Sequence, residues 1–138
     1  MLFGDGAGAV VLSGEDNLLA LRLTAKGDAD ALYMPTTAGN SPFAEKKKIQ
    51  SFINMDGKEI YKFAVAAICN DLKVIFEQAK VKSEEIAHVL LHQANVRIID
   101  AAAKKLNIPR EKYLVNINRY GNTSAASIPI LLDEANRD

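Results

Sequence analysis

Two histidines, His88 and His92, one cysteine, Cys69, the amide of Asn122 and a glycine-rich opening at Gly4–Ala9 are the groups in this 138-residue chain whose types and spacing invite a chemical reading. His88 and His92 stand four residues apart, which on a helix would aim two imidazoles at one metal ion. They lie instead in AHVLLH, an apolar segment that reads as a strand, with no third ligand nearby, so no metal is expected. His92 is the better placed of the two. It ends the strand, Gln93-Ala94-Asn95 leads into a helix, and strand C-termini in α/β folds face the ligand crevice. A neutral imidazole there donates a hydrogen bond to a carbonyl oxygen or exchanges a proton. The other reading is a histidine hydrogen-bonded for structure alone. Asn122 holds the corresponding place after the next strand, behind Tyr120-Gly121 and ahead of a Thr-Ser-Ala-rich helix start. It reads either as a helix cap or as an oxyanion donor. Two polar residues at successive strand-to-helix junctions can converge on one substrate oxygen.

Two other features are set aside. Gly4, Gly6 and Ala9 satisfy a G-x-G-x-x-A search, but a dinucleotide loop follows a strand and opens a helix, and here the strand follows the glycines. The glycines are read as allowing close backbone approach at a strand entrance. Cys69 lies mid-helix between Ile68 and Asn70, with nothing to lower its pKa, and is read as a small core residue rather than a nucleophile.

The elements that must position these groups follow from periodicity. Residues 7–13 (AGAVVLS) and 18–25 (LLALRLTA) read as an antiparallel strand pair turned at Asp16-Asn17. Residues 27–54 hold Gly27, Pro35, Gly39, Pro42 and the run EKKK (45–48), and read as mostly loop, with a short strand at 50–54. Residues 57–80 carry apolar side chains at three- and four-residue steps, a helix of roughly six turns capped by Asp56. Beyond a turn at 83–85 come a buried strand (87–91), a helix (95–106) and a helical turn opened by Pro109. A strand (114–117), a turn (118–123) and a last helix (124–136), with Pro129 early in it, complete the chain. Strand and helix alternate, as in a layered α/β sheet fold.

Composition narrows the function classes. With 17 Lys plus Arg against 17 Asp plus Glu, the formal net charge is zero, which argues against gripping nucleic acid or anionic membrane through bulk charge. An apolar fraction of 49% supplies a core. One cysteine forms no internal disulfide, so a reducing, cytoplasmic setting is expected. No apolar run approaches the roughly 20 residues of a membrane span, and MLFGDGAGAVVLSGED lacks the basic start of a secretion signal.

Three segments, LFGDGAGAVVL, LLHQANVRIIDAAAKKL and RYGNTSAASIPILLDEA, closely resemble the β-ketoacyl-acyl-carrier-protein synthase III family of the thiolase superfamily, in order and separation, from Leu2 to the end of the chain. The resemblance implies a thiolase-like α/β fold of five layers, αβαβα, made of two similar halves. Residues 1–14 then match the last strand of the N-terminal half, and 15–138 match the C-terminal half without its last two strands. It implies a Cys-His-Asn condensing enzyme that joins an acyl-CoA starter to malonyl-acyl carrier protein by decarboxylative Claisen condensation, opening fatty-acid synthesis. His92 (in HQAN) and Asn122 (in GNTS) match the catalytic histidine and asparagine. They are expected to donate to the enolate oxygen, His92 as a neutral ring protonated at Nε2. Cys69 does not match the nucleophile, which falls in the family's N-terminal half, so this polypeptide alone is expected to be inactive in condensation.

The same resemblance places Asn95, Gly57 and Tyr61 along the CoA/pantetheine tunnel, and Arg97, Lys104 and Lys105 where basic residues dock acidic carrier protein. For Lys104 and Lys105 a solvated helix face is the other reading. Acyl-CoA and malonyl-acyl carrier protein are substrates and no cofactor is expected. Partners are carrier protein and, at full length, a second copy. The alternatives are a secondary-metabolite or long-chain member of the same subclass, or an inert fragment that binds carrier protein or dimerises.

Overall fold

The computed structural model describes residues 3–34 and 52–137. They divide into two units, one of residues 23–64 and one of residues 1–22 with 65–138.

In the smaller unit, Asp28 opens a turn. Its carbonyl accepts the Leu32 N–H at 3.2 Å and its carboxylate the Ala31 N–H at 3.0 Å. Strand β1 (Leu32–Tyr33) then pairs antiparallel with β2 (Asn54–Met55), Leu32 opposite Met55 and Tyr33 opposite Asn54. The Ala31 carbonyl takes the Asp56 N–H, and Asp56 Oδ1 accepts the N–H groups of Lys58 (2.9 Å) and Glu59 (3.1 Å). This is the expected N-cap of helix α1 (Gly57–Ala79). The EKKK run and most of the long loop lie outside the described residues.

The larger unit is built on the remainder of α1. Leu72 and Phe76, one turn apart on that helix, pack against a core of Val89, Ile99, Ala103, Ile108 and Tyr113. Helix α2 (Val96–Leu106) contributes Ile99, Ala102 and Ala103, and ends at Asn107, which adopts a left-handed conformation (φ 55°) that Asn tolerates better than most residues. A 3₁₀ turn at Arg110–Lys112, entered through Pro109, leads to the short helix α3 (Ile117–Tyr120). A second 3₁₀ turn, Ser124–Ala126, precedes α4 (Ser127–Ala135), with Pro129 in its first turn, where its missing N–H costs nothing. The expected helix over 124–136 thus starts as a 3₁₀ turn.

Helices α1, α2 and α4 fall close to where the periodicity puts them, α3 forms where a turn is expected, and β2 overlaps the expected strand 50–54 at Asn54; the expected strands 7–13, 18–25, 87–91 and 114–117 form no ladder. Segment 87–91 makes one parallel bridge, Val89 to Tyr113 just ahead of segment 114–117, with the Val89 N–H on the Lys112 carbonyl at 2.8 Å. The next ladder positions are taken by a side chain. Gln93, fully buried, donates through Nε2 to the carbonyls of Leu91 (2.9 Å) and Leu114 (3.4 Å) and accepts the Asn116 N–H on Oε1 (3.1 Å). That amide does the work of two strand bonds, and residue 117 is free to begin a helix.

The expected hairpin of 7–13 with 18–25 is also absent. These residues carry no strand assignment, and Val11 and Leu12 are 100% and 89% exposed. Apolar β-branched sequence forms a strand only where a neighbour completes its hydrogen bonds and covers a face. Among the described residues nothing does so here. The segment before it is better held. Phe3 bridges Asn122, a side chain at Gly4 would strike the Tyr120 carbonyl, and one at Gly8 would strike the Pro129 ring. The glycines therefore serve close backbone approach, as the sequence suggests.

Candidate functional site

His92 leaves the extended segment 87–91 just before Asn95, whose Oδ1 caps α2 by accepting the Arg97 N–H at 3.0 Å. The imidazole is exposed, and its Nδ1 lies 2.6 Å from the Oγ of Ser127, the buried first residue of α4. That hydroxyl has two further partners: it donates to the Ser124 carbonyl (2.9 Å) and accepts the Gln93 N–H (3.2 Å). A hydroxyl has one proton and two lone pairs. The Ser127–His92 bond therefore runs in one direction or the other according to the ring tautomer.

Asn122 is held mainly through its backbone. Its carbonyl accepts the Gly4 N–H at 2.9 Å, and the preceding Gly121 sits at φ 69°, a conformation glycine takes without penalty. Its Oδ1 accepts the Ser124 N–H at 2.9 Å, which fixes which way the amide points and leaves Nδ2 as the outward donor. The bond runs two residues on, as in an Asx turn, so Asn122 is not the cap of α4. Ser124 itself lies at φ 53°, which costs a non-glycine residue roughly 1 kcal/mol or more. Its N–H serves Asn122 and its carbonyl serves Ser127, so the strained residue links the two junctions.

Beneath this loop, Glu134 of α4 gathers α3. Its carboxylate accepts from Asn116 Nδ2 (2.7 Å) and the Tyr120 hydroxyl (2.8 Å), and pairs with Arg119 (2.9 Å). The Asn116 bond, then the Tyr120 bond, hold its pKa below the ordinary carboxylate value, with smaller help from the Arg119 charge. The same bond pushes the Tyr120 phenol up.

The structure therefore brings His92 and Asn122 into one hydrogen-bonded chain, His92–Ser127–Ser124–Asn122. Asn95 is the N-cap of α2. Arg97, Lys104 and Lys105 are exposed on α2, and the seven-residue step puts Arg97 and Lys104 on one face. Lys104 and Lys105 also stand in the last turn, where cations suit the helix dipole. A surface depression between Asp100, Lys104, Pro109 and Arg110 takes in only Lys104 of the candidates. Gly57 and Tyr61 belong to the smaller unit, at the start of α1. His88 is exposed, and Cys69 is buried. Among the described residues no group of three or more His, Cys, Asp or Glu is placed to hold a metal ion. No helix among them is long and apolar enough to cross a membrane.

Gln93, Asn116, Ser124, Ser127 and Glu134 were missed by sequence reasoning. Gln93 and Ser127 carried a signal nonetheless. Each is a polar residue in a segment otherwise apolar or small, immediately beside a candidate.

Comparison with known proteins gives a consistent picture. Residues 76–138 match the family model described as 3-oxoacyl-[acyl-carrier-protein (ACP)] synthase III C terminal. A β-ketoacyl-[acyl-carrier-protein] synthase III from Streptococcus equi subsp. equi is 46% identical over 98% of this chain and 43% of its own length. One from Aquifex aeolicus is 47% identical over 98% of this chain and 41% of its own. A solved synthase III from Thermus thermophilus is 40% identical, with a TM-score of 0.67 over 79% of this chain and 33% of its own. The chain thus spans less than half the length of the curated relatives it matches. The likeness to solved enzymes of this kind places its helices and extended segments as part of an α/β, thiolase-like fold.

Proposed function

Because the chain belongs, over the C-terminal portion of that sequence, to the β-ketoacyl-[acyl-carrier-protein] synthase III family, we propose that it supplies the histidine and asparagine of a condensing enzyme. The observation that carries the reading is the continuous link from His92 through Ser127 and Ser124 to Asn122. It holds two side chains from separate junctions in one rigid arrangement, each with one nitrogen unspent.

The chemistry runs as follows. An acyl group from acyl-CoA is held on a cysteine thiol, and malonyl-acyl carrier protein loses CO2. The electron pair released forms an enolate, whose carbon attacks the acyl thioester and expels the cysteine thiolate to give the β-ketoacyl product on the carrier protein. Negative charge grows on the enolate oxygen, where preorganised donors count most, each worth about 3–4 kcal/mol of barrier. Asn122 Nδ2–H is one donor. His92 Nε2–H is the other, on a ring whose Nδ1 faces the Ser127 Oγ. The nucleophile is not Cys69, which is 4% exposed in the middle of α1. It belongs to the length of the relatives that this chain does not span, and in this reading residues 1–14 are the last strand of one half of the fold and 15–138 the other half without its last two strands.

Asn95, Gly57 and Tyr61 line the path of the pantetheine arm, and Arg97, Lys104 and Lys105 meet acidic carrier protein. The enzyme works in the cytoplasm as a homodimer, and its product opens fatty-acid synthesis.

The test replaces the matched portion of the Aquifex aeolicus synthase with residues 1–138. His92→Ala and Asn122→Ala should each slow malonyl-carrier-protein decarboxylation by about 10²–10³ and leave acylation of the nucleophile by acetyl-CoA within a few-fold. Equal loss in both half-reactions would refute the assignment. Reversing Arg97, Lys104 and Lys105 to Glu should raise KM for carrier protein and leave kcat nearly unchanged.

A further inference from the structure

Helix α3 is a single turn, Ile117–Tyr120, and it delivers the chain to Gly121 and Asn122. One turn of helix is marginal on its own, so its place comes from what it is tied to. We propose that Glu134 is the positioning residue for Asn122: its carboxylate grips both ends of α3 from α4 and so sets where the asparagine amide stands. Four observations carry this. Glu134 accepts from Asn116 Nδ2 at 2.7 Å and from the Tyr120 hydroxyl at 2.8 Å, one bond at each end of the turn. Asn116 stands at the N-cap position of α3, where an asparagine ordinarily caps its own helix, yet its side chain makes no cap bond and its amide goes to Glu134 instead. Asn116 is 2% exposed and its N–H is taken by Gln93 Oε1 at 3.1 Å, so the grip is on a fixed point of the core. The direction of each bond follows from the carboxylate, which only accepts: amide, phenol and the Arg119 guanidinium (2.9 Å) all donate to it.

Ser127 and Glu134 lie seven residues apart, on one face of α4. Ser127 Oγ donates to the Ser124 carbonyl, and Glu134 holds the turn that ends at Tyr120. The stretch 116–124, with Asn122 inside it, is thus tied at both ends to one helix face. Glu134 acts through α3 and does not itself reach substrate. A glutamine in its place keeps the volume but has one acceptor oxygen for three donors. One end of α3 is then released, and the Asn122 amide shifts with it.

The role in catalysis rests on the proposed function, but the hold on the loop does not, and the experiment separates the two. On the 138-residue chain, amide hydrogen exchange reads the loop at Gly121, whose N–H is on the Ile117 carbonyl, and at Ser124, whose N–H is on Asn122 Oδ1. Glu134→Gln should speed exchange at both about tenfold, the scale of one hydrogen bond to a charged group, with the α2 amides unchanged. Tyr120→Phe removes a single hydroxyl and should act in the same direction by about threefold; it decides the matter if the glutamine variant does not fold. Asp133→Asn removes the adjacent carboxylate and its exposed pair with Arg137, and should leave both amides at the parent rate. The Aquifex chimera adds the functional arm. There Glu134→Gln should lower kcat for malonyl-carrier-protein decarboxylation about tenfold, with KM and acylation of the nucleophile within about twofold. Placed on Asn122→Ala, it should slow the reaction no further, whereas a change that merely weakens the fold would lower the remaining rate there too. Exchange at Gly121 and Ser124 that stays at the parent rate overturns the proposal. So does a tenfold loss that persists in the Asn122→Ala background. If exchange rises as expected and decarboxylation does not change, the hold on the loop stands and it is the proposed function of Asn122 that fails.

Discussion

The two junctions that carry the site are held by opposite means. His92 owes its place to side chains: the Ser127 hydroxyl fixes the ring, and the Gln93 amide substitutes for the ladder on the strand before it. Asn122 owes its place to backbone: the Gly4 N–H on its carbonyl, Gly121 at positive φ, and a turn in which Ser124 is strained. A position held by side chains can be released by removing one atom. A position held by backbone yields only to changes that move the chain. Conservative substitution at Ser127 should therefore disturb the histidine ring and leave the asparagine's place untouched, while changes that move the chain, an added methyl at Gly4 or loss of the Glu134 grip on α3, should do the reverse.

The largest effect expected on this contrast is at Gln93. Gln93→Met keeps the volume but strips partners from the Asn116 N–H and the Leu91 and Leu114 carbonyls, each buried loss costing about 1–3 kcal/mol. The summed effect should be about 3 kcal/mol or more by denaturant unfolding of the 138-residue chain. Gly4→Ala comes next. Its Cβ meets the Tyr120 carbonyl, and the overpacking should cost about 1–3 kcal/mol and loosen the Asn122 loop, read as faster amide exchange at Asn122–Ser124, with the His92 ring NMR signals unchanged. If Gly4→Ala shifts those ring signals as much as Ser127→Ala does, the contrast between the junctions is wrong.

Smaller effects sharpen the picture. Asn95→Ala should cost about 1 kcal/mol through the lost α2 cap. Glu134 ties α3 to α4, and its folded pKa lies below the ordinary 4.5. A depressed carboxylate stabilises the fold above its unfolded pKa, and the contribution is lost as pH falls through the folded value. The Tm advantage of the parent chain over Glu134→Gln should therefore be full near pH 7 and shrink as the pH falls below the ordinary 4.5. Smallest of all, the Tyr113 hydroxyl is buried with no hydrogen-bond partner among the described residues, and its burial, more than the nearby Cys69, pushes its pKa up. Tyr113→Phe should leave stability unchanged or raise it by a few tenths of a kcal/mol.

The same contrast explains what could be read from the residues alone. α1 and α2 were legible because their apolar spacing and, for α1, the Asp56 cap are local properties. His92 and Asn122 were legible as residue types at strand-to-helix junctions, and the HQAN and GNTS segments strengthened them. The strands were not. Periodicity identifies a segment that suits a sheet, but a ladder needs a neighbour, and Val11 and Leu12 have none among the described residues. Ser127 was not legible either. It stood in TSAAS as one small residue among several, and only the fold brings a position 35 residues away onto the histidine ring.

The central claim is that both junctions serve one oxygen. A double-mutant cycle on malonyl-carrier-protein decarboxylation in the Aquifex chimera tests it most directly, using His92→Ala, Asn122→Ala and the pair together. Two donors to a single developing charge act as a unit, so the double variant should fall little further than the worse single variant. Losses that multiply, with the double variant slower by the full product of the two singles, would mean that His92 and Asn122 act at separate places and would contradict the account.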